Sequence, residues 1–139
     1  MKKRSFLLFF AALLALAMGG LIAACGVRVS AEGQWDLIEC RDEEGNIVGY
    51  GANMPASEGE KLNVSCEVNA HEFVLREAGK AVYADYDKDE EKNALNLTMT
   101  FEDGSQGTAR CYIVSSNSSE YQIMELVFGG KTYKFRKIA

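Results

Sequence analysis

His71 is the single histidine of the chain. A nucleophile and base pair would need it beside Ser65, Cys66 or another nucleophile, and neither spacing nor context supplies that arrangement. Asp85-Tyr86-Asp87-Lys88-Asp89 sets carboxylates at alternate positions, like the first three ligands of a helix-loop-helix calcium loop. Glu90 stands where that loop requires glycine, however, and Asn96 where it requires a bidentate glutamate. The segment Asp85 to Lys92 therefore reads as a solvated, charged connection. Cys40, Cys66 and Cys111 are too far apart in sequence for a metal-ligand motif. Two of the three could form a disulfide, or each could be a small buried apolar side chain, as the shared parity of Cys66 with Leu62, Val64 and Val68 suggests. No nucleophile elbow or phosphate loop is present, so the chain is expected to be non-enzymatic and to carry no cofactor or metal.

Aromatic side chains are the feature that points to binding. Tyr50, Phe73, Tyr83, Tyr86, Tyr112, Tyr121 and Tyr133 are numerous for a small domain, although tyrosine is also a favoured strand residue. If a pocket exists, Tyr50 and the loop running to Lys61 are where it is expected, with Val64, Phe73, Leu97, Met99 and Met124 lining it.

The elements that must position these residues are strands. From Gln34 onward apolar residues recur at every second position in short runs bounded by turn residues. Leu95, Leu97, Met99 and Phe101 alternate with Asn96, Thr98 and Thr100, and Asp103-Gly104 supplies the positive φ angles of a tight turn before the return strand Gln106 to Val114. A polar loop, Ser115 to Ser119, leads to Tyr121 to Phe128, and Gly129-Gly130 turns the chain into Lys131 to Lys137. Earlier, Trp35 to Cys40 and Ile47 to Tyr50 flank a turn at Glu43-Glu44-Gly45-Asn46. Residues 51 to 60, with the only proline at Pro55, form a loop, and Leu62 to Val68 is a strand. His71 to Glu77 and Lys80 to Asp85 form a hairpin at Ala78-Gly79. The helical spacing of Leu75, Ala78, Val82 and Tyr86 is outweighed by the cost of Gly79 inside a helix, about 1 kcal/mol. Eight or nine short strands in sequential hairpins predict an all-β fold, a small antiparallel up-and-down barrel, because closure removes exposed edges.

The first 24 residues divide into a basic start at Lys2, Lys3 and Arg4, an apolar run from Phe6 to Met18, and a small-residue stretch ending at Ala24. Ile22-Ala23-Ala24-Cys25 resembles the lipobox of bacterial lipoproteins. That resemblance implies cleavage before Cys25, a lipid chain such as palmitate on its thiol or new amino group, and anchoring to a cell membrane or envelope facing away from the cytoplasm. The division that follows is a signal peptide at 1–24, a lipidated tether at 25–33 and a barrel domain at 34–139. From Cys25 onward 12 Lys and Arg stand against 20 Asp and Glu, a net charge of −8. Nucleic acid is excluded as a partner, since phosphate backbones require clustered cations. The three glycosylation-like sequons at Asn63, Asn96 and Asn117 are chance matches beside such a leader.

Gly33-Gln34-Trp35-Asp36-Leu37 resembles the Gly-X-Trp start of the first lipocalin strand, and Tyr133-Lys134-Phe135-Arg136 is similar to the closing strand of small lipocalin-like domains in bacterial lipoproteins. In that superfamily the tryptophan closes one barrel end against a basic residue of the last strand, which gives Trp35 a structural role with Arg136 or Lys137 as partner. The resemblance implies a monomeric, membrane-anchored binder of a small apolar ligand or an envelope protein. The alternative is an inhibitor or interaction module for a basic protein, as in the small β-barrel lipoproteins that block lysozyme. The acidic body suits such a partner, although the Ser-Gly-X-X-Tyr loop of those inhibitors is absent.

Overall fold

The structure, a computed structural model, describes residues 29–53 and 59–139. The leader, Cys25 and the centre of the loop between 51 and 60 lie outside the described residues. In chain order the strands are β1 (Gly33–Arg41), β2 (Ile47–Gly51), β3 (Lys61–Leu62), β4 (Val64–Val68), β5 (Phe73–Glu77), β6 (Lys80–Glu90), β7 (Ala94–Phe101), β8 (Gln106–Ser116), β9 (Ser119–Phe128) and β10 (Lys131–Lys137). No helix occurs among the described residues.

Alternation explains the strands and their closure. In β7, Leu95, Leu97, Met99 and Phe101 are buried while Thr98 and Thr100 are exposed, so one parity faces an interior and the other faces water. Strands β4 through β10 each pair antiparallel with the next, and β10 returns to β1, which pairs with β4. The result is a closed eight-stranded antiparallel barrel, the fold that the alternation predicts.

Strands β2 and β3 lie outside the eight. The first half of β1 pairs with β4, Trp35 opposite Cys66, whereas its second half pairs with β2, Cys40 opposite Gly49. β3 runs parallel to β2 and leads through Asn63 into β4, so the chain from 61 to 68 diverges from β1 and β2 wedges into the gap. The wedge needs Gly51: a Cβ there would stand 1.7 Å from the Leu37 carbonyl oxygen. The end of the barrel where β1 finishes is here called the wedge end, and the end where β1 begins the plugged end.

Three details correct the sequence reading. Ser115 to Ser119 is not a loop, because β8 and β9 run on to Ser116 and Ser119 and only Asn117 and Ser118, at φ 48° and 68°, make the turn. These are the left-handed angles a two-residue hairpin requires, and asparagine tolerates them well. Asp85 to Glu90 is strand, the second half of β6, paired with β7 from Asp85 opposite Thr100 to Glu90 opposite Leu95. At Asp103-Gly104 only Gly104 has a positive φ, 88°. The Gly104 N–H donates to the Phe101 carbonyl and the Phe101 N–H to the Ser105 carbonyl, a turn closed by a glycine bulge rather than a two-residue loop. The hairpin at Ala78-Gly79 is as expected, with both residues at positive φ and Glu77 opposite Lys80.

The interior is a single apolar cluster. Phe101 packs against Phe128 at 4.3 Å between ring centroids and edge-on to Phe73 at 6.3 Å, geometries that aromatic pairs favour.

Candidate functional site

The five apolar residues proposed to line a pocket all point inward, from β4 (Val64), β5 (Phe73), β7 (Leu97, Met99) and β9 (Met124), and the structure brings them into one cluster. Phe73, Met99 and Met124 are 0% exposed and Leu97 is 1%. A side chain with no accessible surface touches no space large enough for water, so these residues fill the barrel rather than line a chamber. Tyr50 is not among them: it sits half-buried on β2, its ring against Gly59 and its N–H donating to the Glu60 carbonyl at 2.8 Å.

Trp35 closes the plugged end. Its ring is fully buried, and the indole N–H donates to the Ala31 carbonyl at 2.9 Å. The Lys137 ammonium lies 5.5 Å from the ring centroid and donates to the Ser30 carbonyl at 3.1 Å, while the Gln122 side-chain oxygen accepts from the Ser30 N–H. The chain from Val29 to Glu32 is thereby stapled across the opening. The basic partner is Lys137 and not Arg136, for a reason of parity: Trp35 pairs directly with Lys137 and shares its face, whereas Arg136 pairs with Asp36 and points outward, over the Tyr121 ring at 5.9 Å. Desolvation and the adjacent ring fit an ammonium held by a cation–π contact, and burial lowers the Lys137 pKa.

Cys40, Cys66 and Cys111 are free and buried thiols. Burial raises all three, Cys66 well above its ordinary value and Cys111 to about 12, so the reactive thiolate is suppressed. An aromatic disulfide reagent at pH 8 is therefore expected to leave them unmodified in the folded protein and to titrate all three in denaturant. Rapid labelling of one without unfolding would show that its wall of the barrel opens. Because the folded state favours protonated Cys111, its stabilisation is complete below pH 9 and lost as pH rises towards 12. A urea midpoint that falls across that window tests the sign.

His71 is exposed in the turn between β4 and β5, where its main-chain N–H donates to the Asn69 side-chain oxygen at 2.8 Å. Among the described residues no three His, Cys, Asp or Glu side chains form a group that could hold a metal.

A feature that the sequence reading missed lies on β6. β5 begins at Phe73, opposite Ala84, but β6 continues to Glu90. Among the described residues, those from Asp85 onward therefore have β7 on one side and no strand on the other. Beside this overhang is a cleft of about 240 Å³ lined by Tyr86, Lys88, Glu90 and Leu95 on one wall and Val29 to Glu32 on the other. The Tyr86 hydroxyl donates to the Asn69 carbonyl at 2.6 Å and anchors one end. Asp85, Asp87 and Asp89 are exposed along its outer face. At its tip Glu91 is held below the usual carboxylate range by hydrogen bonds from Arg110 and Asn96 and by the Arg110 charge. The sequence signal was indirect: alternation fails beyond Tyr86 because residues of both parities are exposed there. No protein-family model, curated protein or solved structure matches the chain.

Proposed function

We propose that the protein is a non-enzymatic lipoprotein, anchored through Cys25 outside the cytoplasm, that works as an interaction module holding a basic partner protein. The observation that carries this reading is the filled interior: Phe73, Leu97, Met99 and Met124 leave no room beside them for a ligand. Binding then belongs to the outside of the barrel, and a body of net charge −8 attracts cations and steers a basic protein towards it. A carrier of small apolar molecules would need those four side chains to part, at a cost similar to that of opening a core cavity.

Native mass spectrometry of the protein as it occurs in its own envelope, extracted in detergent, tests the choice. The expected result is a protein free of small-molecule adducts that captures a basic protein in a salt-sensitive complex. A retained apolar molecule released on denaturation would overturn the interaction reading in favour of a carrier.

A further inference from the structure

Among the described residues, the main-chain edge of β6 from Asp85 to Glu90 has no neighbouring strand. Along an antiparallel strand successive residues direct their N–H and C=O groups to alternate sides. The Tyr83 carbonyl accepts from the Glu102 N–H, and the Glu91 N–H donates to the Ala94 carbonyl, both on the β7 side. Odd-numbered residues of β6 thus bond towards β7. Tyr86, Lys88 and Glu90 direct theirs the other way, to the side where β5 has ended.

We propose that this edge is a strand-addition site that receives an extended, basic segment of the partner protein, an inference that rests on the interaction reading above. Strand addition takes its affinity from main-chain hydrogen bonds and its selectivity from alternate side chains. Here the selectivity is electrostatic. With Glu91 paired to Arg110, Asp85, Asp87, Asp89 and Glu90 outnumber Lys88 and Lys92 on the overhang, and Glu32 stands across the cleft. Side chains opposite one another on neighbouring strands are about 5 Å apart, so residues of the incoming strand beside the outward aspartates are favoured as Lys or Arg. Those of the other parity lie beside Tyr86, Lys88 and Glu90. The same charges argue against a second copy of this chain, since two such edges would set aspartate against aspartate.

The probe is a fluorescent heptapeptide alternating arginine with valine, titrated into the full-length chain in detergent and followed by anisotropy and amide hydrogen exchange. Binding is expected to slow exchange at the amides of Tyr86, Lys88 and Glu90. Lys88→Pro removes a donor on the cleft side and spares every bond to β7, and is expected to weaken the peptide at least about tenfold. A peptide N-methylated at alternate residues should weaken as much, and Asp85→Asn with Asp87→Asn and Asp89→Asn should remove the preference for arginine over glutamate peptides. Equal binding by Lys88→Pro and by the N-methylated peptide, or no binding at all, would overturn the site. Capture of a basic protein from envelope extract separates the two ideas: equal capture by wild type and Lys88→Pro sinks the site alone, and no capture by wild type sinks the interaction reading with it.

Discussion

Replacing Trp35 with alanine is expected to lower the unfolding free energy by about 3–5 kcal/mol, a large share of the total for a domain of this size. Three losses coincide. The ring is fully buried against the core, so its removal leaves a cavity. The Ala31 carbonyl loses the indole N–H, its bond across the plugged end, and a buried acceptor without a donor costs about 1–3 kcal/mol. The Lys137 ammonium loses the ring beneath it and remains partly desolvated. Trp35→Phe separates these terms, because it keeps most of the apolar volume but removes the N–H, and it should cost clearly less than alanine. Urea denaturation followed by far-ultraviolet circular dichroism measures both variants, whereas tryptophan fluorescence cannot, since Trp35 is the only tryptophan. A loss below about 1 kcal/mol for alanine would mean that the plug at Val29 to Glu32 is stable without its staple.

The second large effect is covalent. Cys25→Ala is expected to abolish lipid attachment and cleavage, leaving a precursor that keeps all 24 leader residues. Each acyl chain contributes about 0.8 kcal/mol per buried methylene, so two chains hold a protein that one chain holds only reversibly. Trypsin cuts after Arg28, so the wild-type envelope fraction should yield the peptide from Cys25 to Arg28 carrying the mass of its lipid, and the variant should not. An unmodified Cys25 peptide from wild type would remove the anchor from the proposed function.

The parts of the fold legible in the sequence are those where one face meets the core and the other meets water. β7 and β10 alternate cleanly because every residue lies within the barrel wall. Lys137 was a named alternative for the Trp35 partner, but choosing it over Arg136 requires the register between β1 and β10, which is non-local. The second half of β6 was misread because its inward parity lines a cleft rather than the packed core: Lys88 and Glu90 share the parity of Ala84 yet are exposed. The wedge of β2 was invisible for a different reason. It depends on Gly51 meeting the Leu37 carbonyl and Leu62 covering Gly49, contacts that leave no periodic trace. The uncovered edge of β6 was beyond reach for the same reason, since it exists only through the difference in length between two neighbouring strands.

The seam between β1 and β10 constrains how the domain folds as the chain emerges. Nearly every other pairing joins strands adjacent in the chain, which can form as soon as both have emerged, but Trp35 and its neighbours pair with residues about a hundred positions later. A chain that emerges from its N-terminus presents β1 first, and β1 must wait, with its apolar side uncovered, until β10 has followed. Closure is then a late, slow event with a high loop-closure cost. The burial of Trp35, reported by its fluorescence, is the natural clock for that step.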